Sequence, residues 1–166
     1  MVTLRTIVIA VAVAAAGVTA LFWYFQSDTA KIRKQFKTIA EAASKDAGEH
    51  ELTAAAGARK IGRMFAENGR IEIPAYDISR TYAREDIPGR IMGARSRYSE
   101  ISMRFHDLDI RFPSEQTARV HFTAYVEAVR ITGERVREGH EITCRLEQIE
   151  GDWLIHQIEA VTVLER

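Results

Sequence analysis

The sequence is poor in the features that would assign it to a specialised class. It has a single cysteine, Cys144, so no intramolecular disulfide can form, and only three prolines in 166 residues. Lysine plus arginine equals aspartate plus glutamate at 23 each. A chain without net charge has no overall field that attracts nucleic acid, and we predict no nucleic-acid partner. Cys144 stands between Ile142 and Leu146, which favours a small core residue over a reactive thiol.

Catalytic and cofactor motifs are also missing. The sequence contains no phosphate-cradling glycine loop, no zinc-ligand spacing and no nucleophile–base motif. It therefore predicts neither a cofactor nor a bound metal.

One long apolar run is present at residues 6–25, which carry no charge. Twenty helical residues would extend about 30 Å, the thickness of the hydrocarbon core of a bilayer. Trp23 and Tyr24 close the run where interfacial aromatics would sit. A cleaved signal peptide with a cut after Val18-Thr19-Ala20 is the competing interpretation, but Leu21–Phe25 continues the apolar run past that cut. The pattern favours a retained single span in the lipid bilayer, with an anchor at 1–27 and one domain at 28–166.

Two arguments give opposite orientations for this predicted span. Arg5 precedes the run, whereas Lys31, Arg33, Lys34 and Lys37 follow it, and positive charge favours the cytoplasmic side. A short charged tail before an apolar run is instead the layout of an uncleaved export signal. We favour a bacterial inner-membrane protein with its domain outside the cytoplasm.

Alternating apolar residues predict four consecutive strands between residues 100 and 164. In the segment 118–131, apolar and polar side chains alternate, so one face of the strand is dry and the other wet. The apolar parity shifts by one near His106–Asp107, which predicts a β-bulge. Turns are predicted at Pro113-Ser114, Thr132-Gly133 and Glu150–Asp152.

Three helices and a short strand are predicted before this meander. The first helix has an N-cap at Ser27–Thr29, and the second runs from Leu52 to Glu67 with a stop at Asn68-Gly69. Arg70–Pro74 is a short strand. The third helix starts near Arg84–Asp86, since Pro88 is tolerated only in a first turn.

This order of elements resembles the nuclear transport factor 2-like superfamily, which includes ketosteroid isomerase-like and SnoaL-like proteins. The resemblance covers residues 30–164 and is carried by Phe65-Ala-Glu-Asn-Gly69 and by Gly151-Asp-Trp-Leu-Ile155. It implies an α+β fold in which helices pack on a strongly bent antiparallel sheet, forming a cone that often has a pocket at its open end. The fold hosts isomerases, dehydratases, ligand carriers and interaction modules.

The resemblance also suggests where an enzymatic site would lie. A ketosteroid isomerase-like site needs an acid–base carboxylate beside hydrogen-bond donors in an apolar pocket. Asp77 is near the position where that family places its base, and the further pocket candidates are Tyr76, Tyr82, Tyr98 and His106. The family's later-strand acid would fall in the dry register that Phe122 occupies, so the set is incomplete. We favour a membrane-anchored, non-catalytic interaction or small-ligand-binding module, with a membrane-tethered isomerase or dehydratase as the alternative.

The wet face of the predicted sheet is a candidate association surface. Tyrosine, histidine and arginine can be buried against a partner while keeping their hydrogen bonds. Opposite charges on one face could pair across a two-fold axis in a homodimer, or with another membrane-complex partner. An ordinary solvated face is the competing interpretation. The residues of this candidate surface are Arg119, His121, Tyr125 and Arg145.

Overall fold

The computed structural model describes residues 4–74 and 77–164; the side chains of residues 4–12, 15–25 and 161–164 lie outside that description. The chain divides into two compact units, Met1–Lys34 and Gln35–Arg166. The division falls a few residues after the boundary at 27/28 that the sequence predicts.

The first helix, α1, is longer than the sequence predicts. It runs without interruption from Leu4 to Ala43. The predicted N-cap at Ser27–Thr29 is therefore wrong, because these residues are inside the helix. Capping residues are tolerated in a helix interior when their side chains find other partners, and Asp28 is paired with Lys31 one turn later.

The structure does not support the predicted membrane span. In the part of the chain that it describes, no helix is both long and apolar enough to cross a membrane.

Two further helices belong to the second unit. Helix α2 is Glu51–Gly62, and α3 is Ile87–Arg95, preceded by a 3₁₀ turn at Arg84–Asp86. Pro88 lies in the first turn of α3, as predicted. The two helices approach very closely, since a Cβ atom built on Gly62 would lie 2.9 Å from Cγ of Pro88.

A six-stranded sheet forms the rest of this unit. Its strands are β1 (Phe65–Ile73), β2 (Ile78–Ala83), β3 (Tyr98–Ser114), β4 (Thr117–Arg130), β5 (Arg135–Ile149) and β6 (Asp152–Leu164). Neighbouring strands are antiparallel except β1 and β6, which are parallel. The order across the sheet is β2-β1-β6-β5-β4-β3. The helices and this curved sheet make an α+β fold.

The four-stranded meander is confirmed, including its bulge. Strand β3 passes through the predicted shift as one element, and its pairing with β4 changes register between His106 and Asp109. Asp107 adopts a φ of 57°, the left-handed conformation that a bulge can require. The bulge keeps Phe105 and Ile110 on the same side of the sheet despite their odd spacing.

Two of the predicted turns can be compared with two-residue loops in the structure. Glu150 and Gly151 have φ values of 52° and 90°, and Ile149 pairs with Asp152. Two positive φ angles in a two-residue loop define a type I′ turn, so this prediction is confirmed. The predicted turn at Pro113-Ser114 is wrong by about two residues, because both belong to β3 and the loop is residues 115–116.

The boundary between α2 and β1 is the main error of the sequence interpretation. The predicted second helix reached Glu67, but α2 ends at Gly62 and β1 begins at Phe65. Asn68 and Gly69 pair with β2 instead of stopping a helix. Gly69 is required there for a different reason: a Cβ atom at this position would lie 2.8 Å from the ring of Phe65.

The core lies on the inner face of the sheet, where the dry residues of β4 are buried as predicted. Phe122 is 3% exposed, and Val120 and Ala124 are buried on either side of it. Phe65 is buried too, although from a strand rather than the predicted helix. Burying a phenylalanine contributes about 1.5–3 kcal/mol, so such side chains stabilise this unit.

A buried arginine ties the helices of this unit together. Arg95, at the end of α3, is 5% exposed; it donates from Nη1 to the carbonyl oxygen of Ala42 and from Nη2 to Glu49. Lys45 makes the reciprocal contact, donating from Nζ to the carbonyl oxygens of Arg95 and Tyr98 at 3.4 and 2.6 Å. Arg95 thus satisfies a carbonyl group near the C-terminal end of α1, and Lys45 satisfies one at the end of α3 and one at the start of β3.

Candidate functional site

Aromatic rings occupy the inner face of the sheet, where the resemblance places a pocket. The ring centroid of Phe36 is 6.1 Å from that of Phe105 and 5.1 Å from that of Phe122. Phe105 and Phe122 are 4.7 Å apart. These are edge-to-face and tilted contacts of the kind that stabilise protein cores. The inner face is therefore packed with side chains at this level of the sheet.

The predicted pocket residues are spread over the surface of the second unit. Asp77 is exposed, with a φ of 51°, and Tyr76 lies outside the described residues. Tyr82 is half-buried in β2, where Cζ of Arg90 lies 4.2 Å from its ring centroid. Tyr98 is half-buried at the start of β3.

His106 lies on the outer face of the sheet, next to a different set of residues. Its ring is 5.3 Å from that of Tyr125, at an interplanar angle of 80°. His106 therefore joins the candidate association surface rather than a pocket with Asp77 or Tyr82. The β-bulge after His106 determines the side of the sheet on which this side chain lies. Side-chain spacing alone does not resolve that side.

The outer face carries the four residues predicted for association. We define it by the outward side chains of β3, β4 and β5, among which Tyr125 is 43% exposed. His121 Nδ1 is 3.2 Å from Thr143 Oγ1 on β5, and Arg104 Nη2 donates to Glu127 Oε1 at 3.1 Å. The surface is polar and cross-linked between strands, with an exposed aromatic ring in its centre.

A row of arginines crosses the outer face. Arg119 on β4 is directly opposite Arg145 on β5 and Arg111 on β3. Arg111 is paired with Asp109 at 2.8 Å, whereas Arg119 and Arg145 have no ion-pair partner among the described residues. Like charges directly opposite each other in a sheet are unfavourable. An acidic partner bound at this row would therefore reduce the repulsion between the arginines.

Acidic groups occur beside this row on the same sheet. Glu72 accepts from Arg70 Nε at 2.5 Å and from Gln157 Nε2 at 2.9 Å. Hydrogen bonding and the charge of Arg70 hold the pKa of Glu72 below its ordinary value of 4.5. Glu72 therefore stays ionised at neutral pH, and the outer side of the sheet presents both signs of charge.

The sequence predicts that Cys144 is a core residue, and it predicts no bound metal. The thiol of Cys144 is buried on the inner face, and burial raises its pKa, which agrees with a core residue. Among the residues that the structure describes, no group of three or more histidine, cysteine or acidic side chains is arranged to hold a metal ion.

Sequence reasoning missed a buried carboxylate in the first unit. Asp28 is 1% exposed; Nζ of Lys31 lies 3.1 Å from its Oδ1, and its Oδ2 has no hydrogen-bond partner among the described residues. The signal was available, because Asp28, Ile32 and Phe36 follow one another at spacings of four along one helix stripe. The residue was interpreted as a cap because of its type.

Comparisons with known proteins identify the fold but not the family. No family model matches the chain, and no curated protein matches it. Among solved structures, a protein from Novosphingobium aromaticivorans assigned as a scytalone dehydratase is 14% identical, with a TM-score of 0.65 over 86% of this chain and 90% of that one. The hexachlorocyclohexane dehydrochlorinase LinA-type3 from Novosphingobium barchaimii is 10% identical, with a TM-score of 0.64 over 86% and 93%.

A third neighbour has a different kind of function. A protein from Xanthomonas campestris assigned as a calcium/calmodulin-dependent protein kinase II association domain is 13% identical. Its TM-score is 0.56 over 81% of this chain and 84% of that one. Enzymes and an association domain thus share this architecture, and the likeness alone does not choose between them. The chain shares with these structures an α+β fold of helices on a curved six-stranded sheet, which is consistent with the nuclear transport factor 2-like resemblance of its sequence.

Proposed function

We propose that this chain is a non-catalytic module that associates through the outer face of its sheet. The supporting observation is the contrast between an inner face packed with Phe36, Phe105 and Phe122 and an outer face with exposed Tyr125 and unpaired arginines. Association surfaces commonly have an exposed aromatic side chain at their centre, surrounded by polar groups. A second copy of the chain is the partner that the mixed charges of this face fit best.

Sedimentation of the full-length chain tests this proposal. The wild type is expected to form a dimer whose population falls with dilution, and Tyr125→Glu is expected to be monomeric at the same concentration. Thr132→Glu is the matched control, since it adds the same charge at an exposed turn away from the face. A wild type that stays monomeric at high concentration would contradict self-association. Equal dimerisation of both variants would mean that the interface lies elsewhere on the chain.

A membrane-tethered isomerase or dehydratase is the second candidate. One observation favours it: the carboxylate of Asp28 is buried with one oxygen unpartnered, and buried carboxylates are candidates for acid–base chemistry. Incubation with β-hydroxy ketones, followed by absorbance of the unsaturated product, tests this function. Turnover that Asp28→Asn abolishes and Asp77→Asn preserves would favour the enzyme over the association module.

Attachment to the membrane is a proposal that depends on the sequence at 6–25. Its uncharged run and closing aromatics are the supporting features. Fractionation of cells that express the full chain, with intact-mass measurement, tests it. The expected result is an uncleaved chain in the membrane fraction; a soluble product starting near Leu21 would contradict the proposal.

A further inference from the structure

A second surface feature lies away from the outer face, on the helical side of the sheet edge. It is a cleft of about 650 Å³ between the end of α2, the first residues of β1, the end of β2 and the 3₁₀ turn. Small-molecule sites commonly have volumes of roughly 300–1,000 Å³. The close approach of Gly62 to Pro88 lines one wall of the cleft. The volume of the cleft is therefore in the range of small-ligand sites.

Three arginines from two separate elements line this cleft. Arg59 and Arg63 are four residues apart at the end of α2 and so lie on one side of the helix, and Arg84 comes from the 3₁₀ turn. All three are exposed, and none makes an ion pair among the described residues. Glu67 and Glu85 line the same cleft, so acidic partners are nearby but not engaged.

The position of these arginines is only partly explained by helix stability. Arg59 and Arg63 are at the C-terminal end of α2, where positive charge is favourable. Arg84 is at the N-terminal side of the segment that leads into α3, where positive charge is unfavourable. Helix stability therefore accounts for Arg59 and Arg63 but not for Arg84, which lines the same cleft.

We propose that this cleft binds a small molecule through an anionic group, either a phosphate or a carboxylate. A guanidinium group presents a planar pair of N–H donors that matches both groups in a bidentate arrangement. Asn68, at the rim, adds an amide that can donate to the same group or accept from a hydroxyl of the ligand. The site does not depend on association through the outer face.

Arginine Nε–H signals in NMR spectra of the full-length chain test the proposal, with inorganic phosphate and citrate as the two probes. We expect saturable shifts at Arg59, Arg63 and Arg84 and none at Arg135, an exposed arginine at the start of β5 that does not line the cleft. Saturation by phosphate alone would assign the ligand to the phosphate class, and saturation by citrate alone would assign it to the carboxylate class.

Substitutions then locate the site. Arg63→Gln and Arg84→Gln should each weaken the apparent affinity for the effective probe about tenfold or more, the loss expected for one charge-assisted hydrogen bond. Arg135→Gln is the matched control and should leave the affinity unchanged, because this arginine is exposed but does not line the cleft. Shifts that do not saturate with either probe, or that are equal at all exposed arginines, would overturn the proposal.

Discussion

The two faces of the sheet are built from alternate residues of the same strands, and they have opposite properties. On β4, Val120 and Phe122 point inward and are buried, whereas His121 and Tyr125 point outward and are exposed. The inner face is apolar and occupied by aromatic rings, while the outer face is polar and open. The comparison teaches that one strand can pack aromatic side chains on its inner face and still present a polar surface on its outer face.

The electrostatic consequences of the two faces are also opposite. Burial on the inner face raises the pKa of the Cys144 thiol and so disfavours its charged form. On the outer side, the hydrogen bond from Arg70 lowers the pKa of Glu72 and favours its charged form. A single sheet therefore suppresses ionisation on one side and supports it on the other.

The largest expected effect comes from removing an inner ring. Phe122→Ala should lower the free energy of unfolding by about 3–5 kcal/mol, because it leaves a cavity beside Phe36 and Phe105. His121→Ala, one residue away on the outer face, should change it by less than about 0.5 kcal/mol. Denaturant melts measure both; equal losses would break the distinction between the faces.

The next effect concerns the charge buried on the helical side of the second unit. Arg95→Met should cost about 3 kcal/mol of stability, because it leaves Glu49 and the carbonyl group of Ala42 without their donor. Adding Glu49→Gln should cost little more, since the pair acts as a unit. Thermal unfolding of the two single variants and the double variant gives the coupling energy, and strictly additive losses would contradict a paired role.

A smaller effect is expected from thiol chemistry. Cys144 should react with a thiol reagent only as fast as the fold opens, because the thiol is buried and its pKa is raised. Labelling should therefore accelerate steeply in denaturant and in Phe122→Ala, and should be unaffected by His121→Ala. Rapid labelling of the native wild type would show that the inner face is open.

The smallest expected effect is the contribution of Glu72 to the pH dependence of stability. Since its pKa is lowered in the folded state, its contribution to stability is present above its ordinary value of 4.5 and is lost as the pH falls through the folded pKa. Glu72→Gln should therefore lower the stability slightly at neutral pH and reduce the further loss of stability on acidification. Unfolding curves across this range check it, and an unchanged acid slope would mean that Arg70 does not stabilise the ionised form.

Much of the fold could be predicted because strand periodicity is strong in the last four strands. The alternation in β4 determined which residues are buried, and the parity shift located the bulge at His106–Asp107. The beginning of the sheet could not be read in this way. Phe65 continues the helical spacing of Ile61, and Asn68-Gly69 is a helix-stop signal, but pairing with β2 and β6 overrides both.

The candidate sites were predictable to different degrees for the same reason. Arg119, His121 and Tyr125 share one strand face, so spacing along β4 was enough to group them. Arg63 and Arg84 come together only because α2 ends beside the 3₁₀ turn, which depends on how closely Gly62 packs on Pro88. Strand β2 separates them in sequence, and it was missed because its polar alternation at the sheet edge resembles a loop.

Strand β3 has a consequence for how another chain could pair with the sheet. It is an edge strand, 17 residues long, and such an edge would normally offer a row of free N–H and C=O groups to another chain. Lys45 bridges it near one end at Ile101, the bulge interrupts it in the middle, and Pro113 removes a donor near the other end. These three features interrupt the row of free backbone groups along the edge, which makes the addition of a long continuous strand from another chain less favourable.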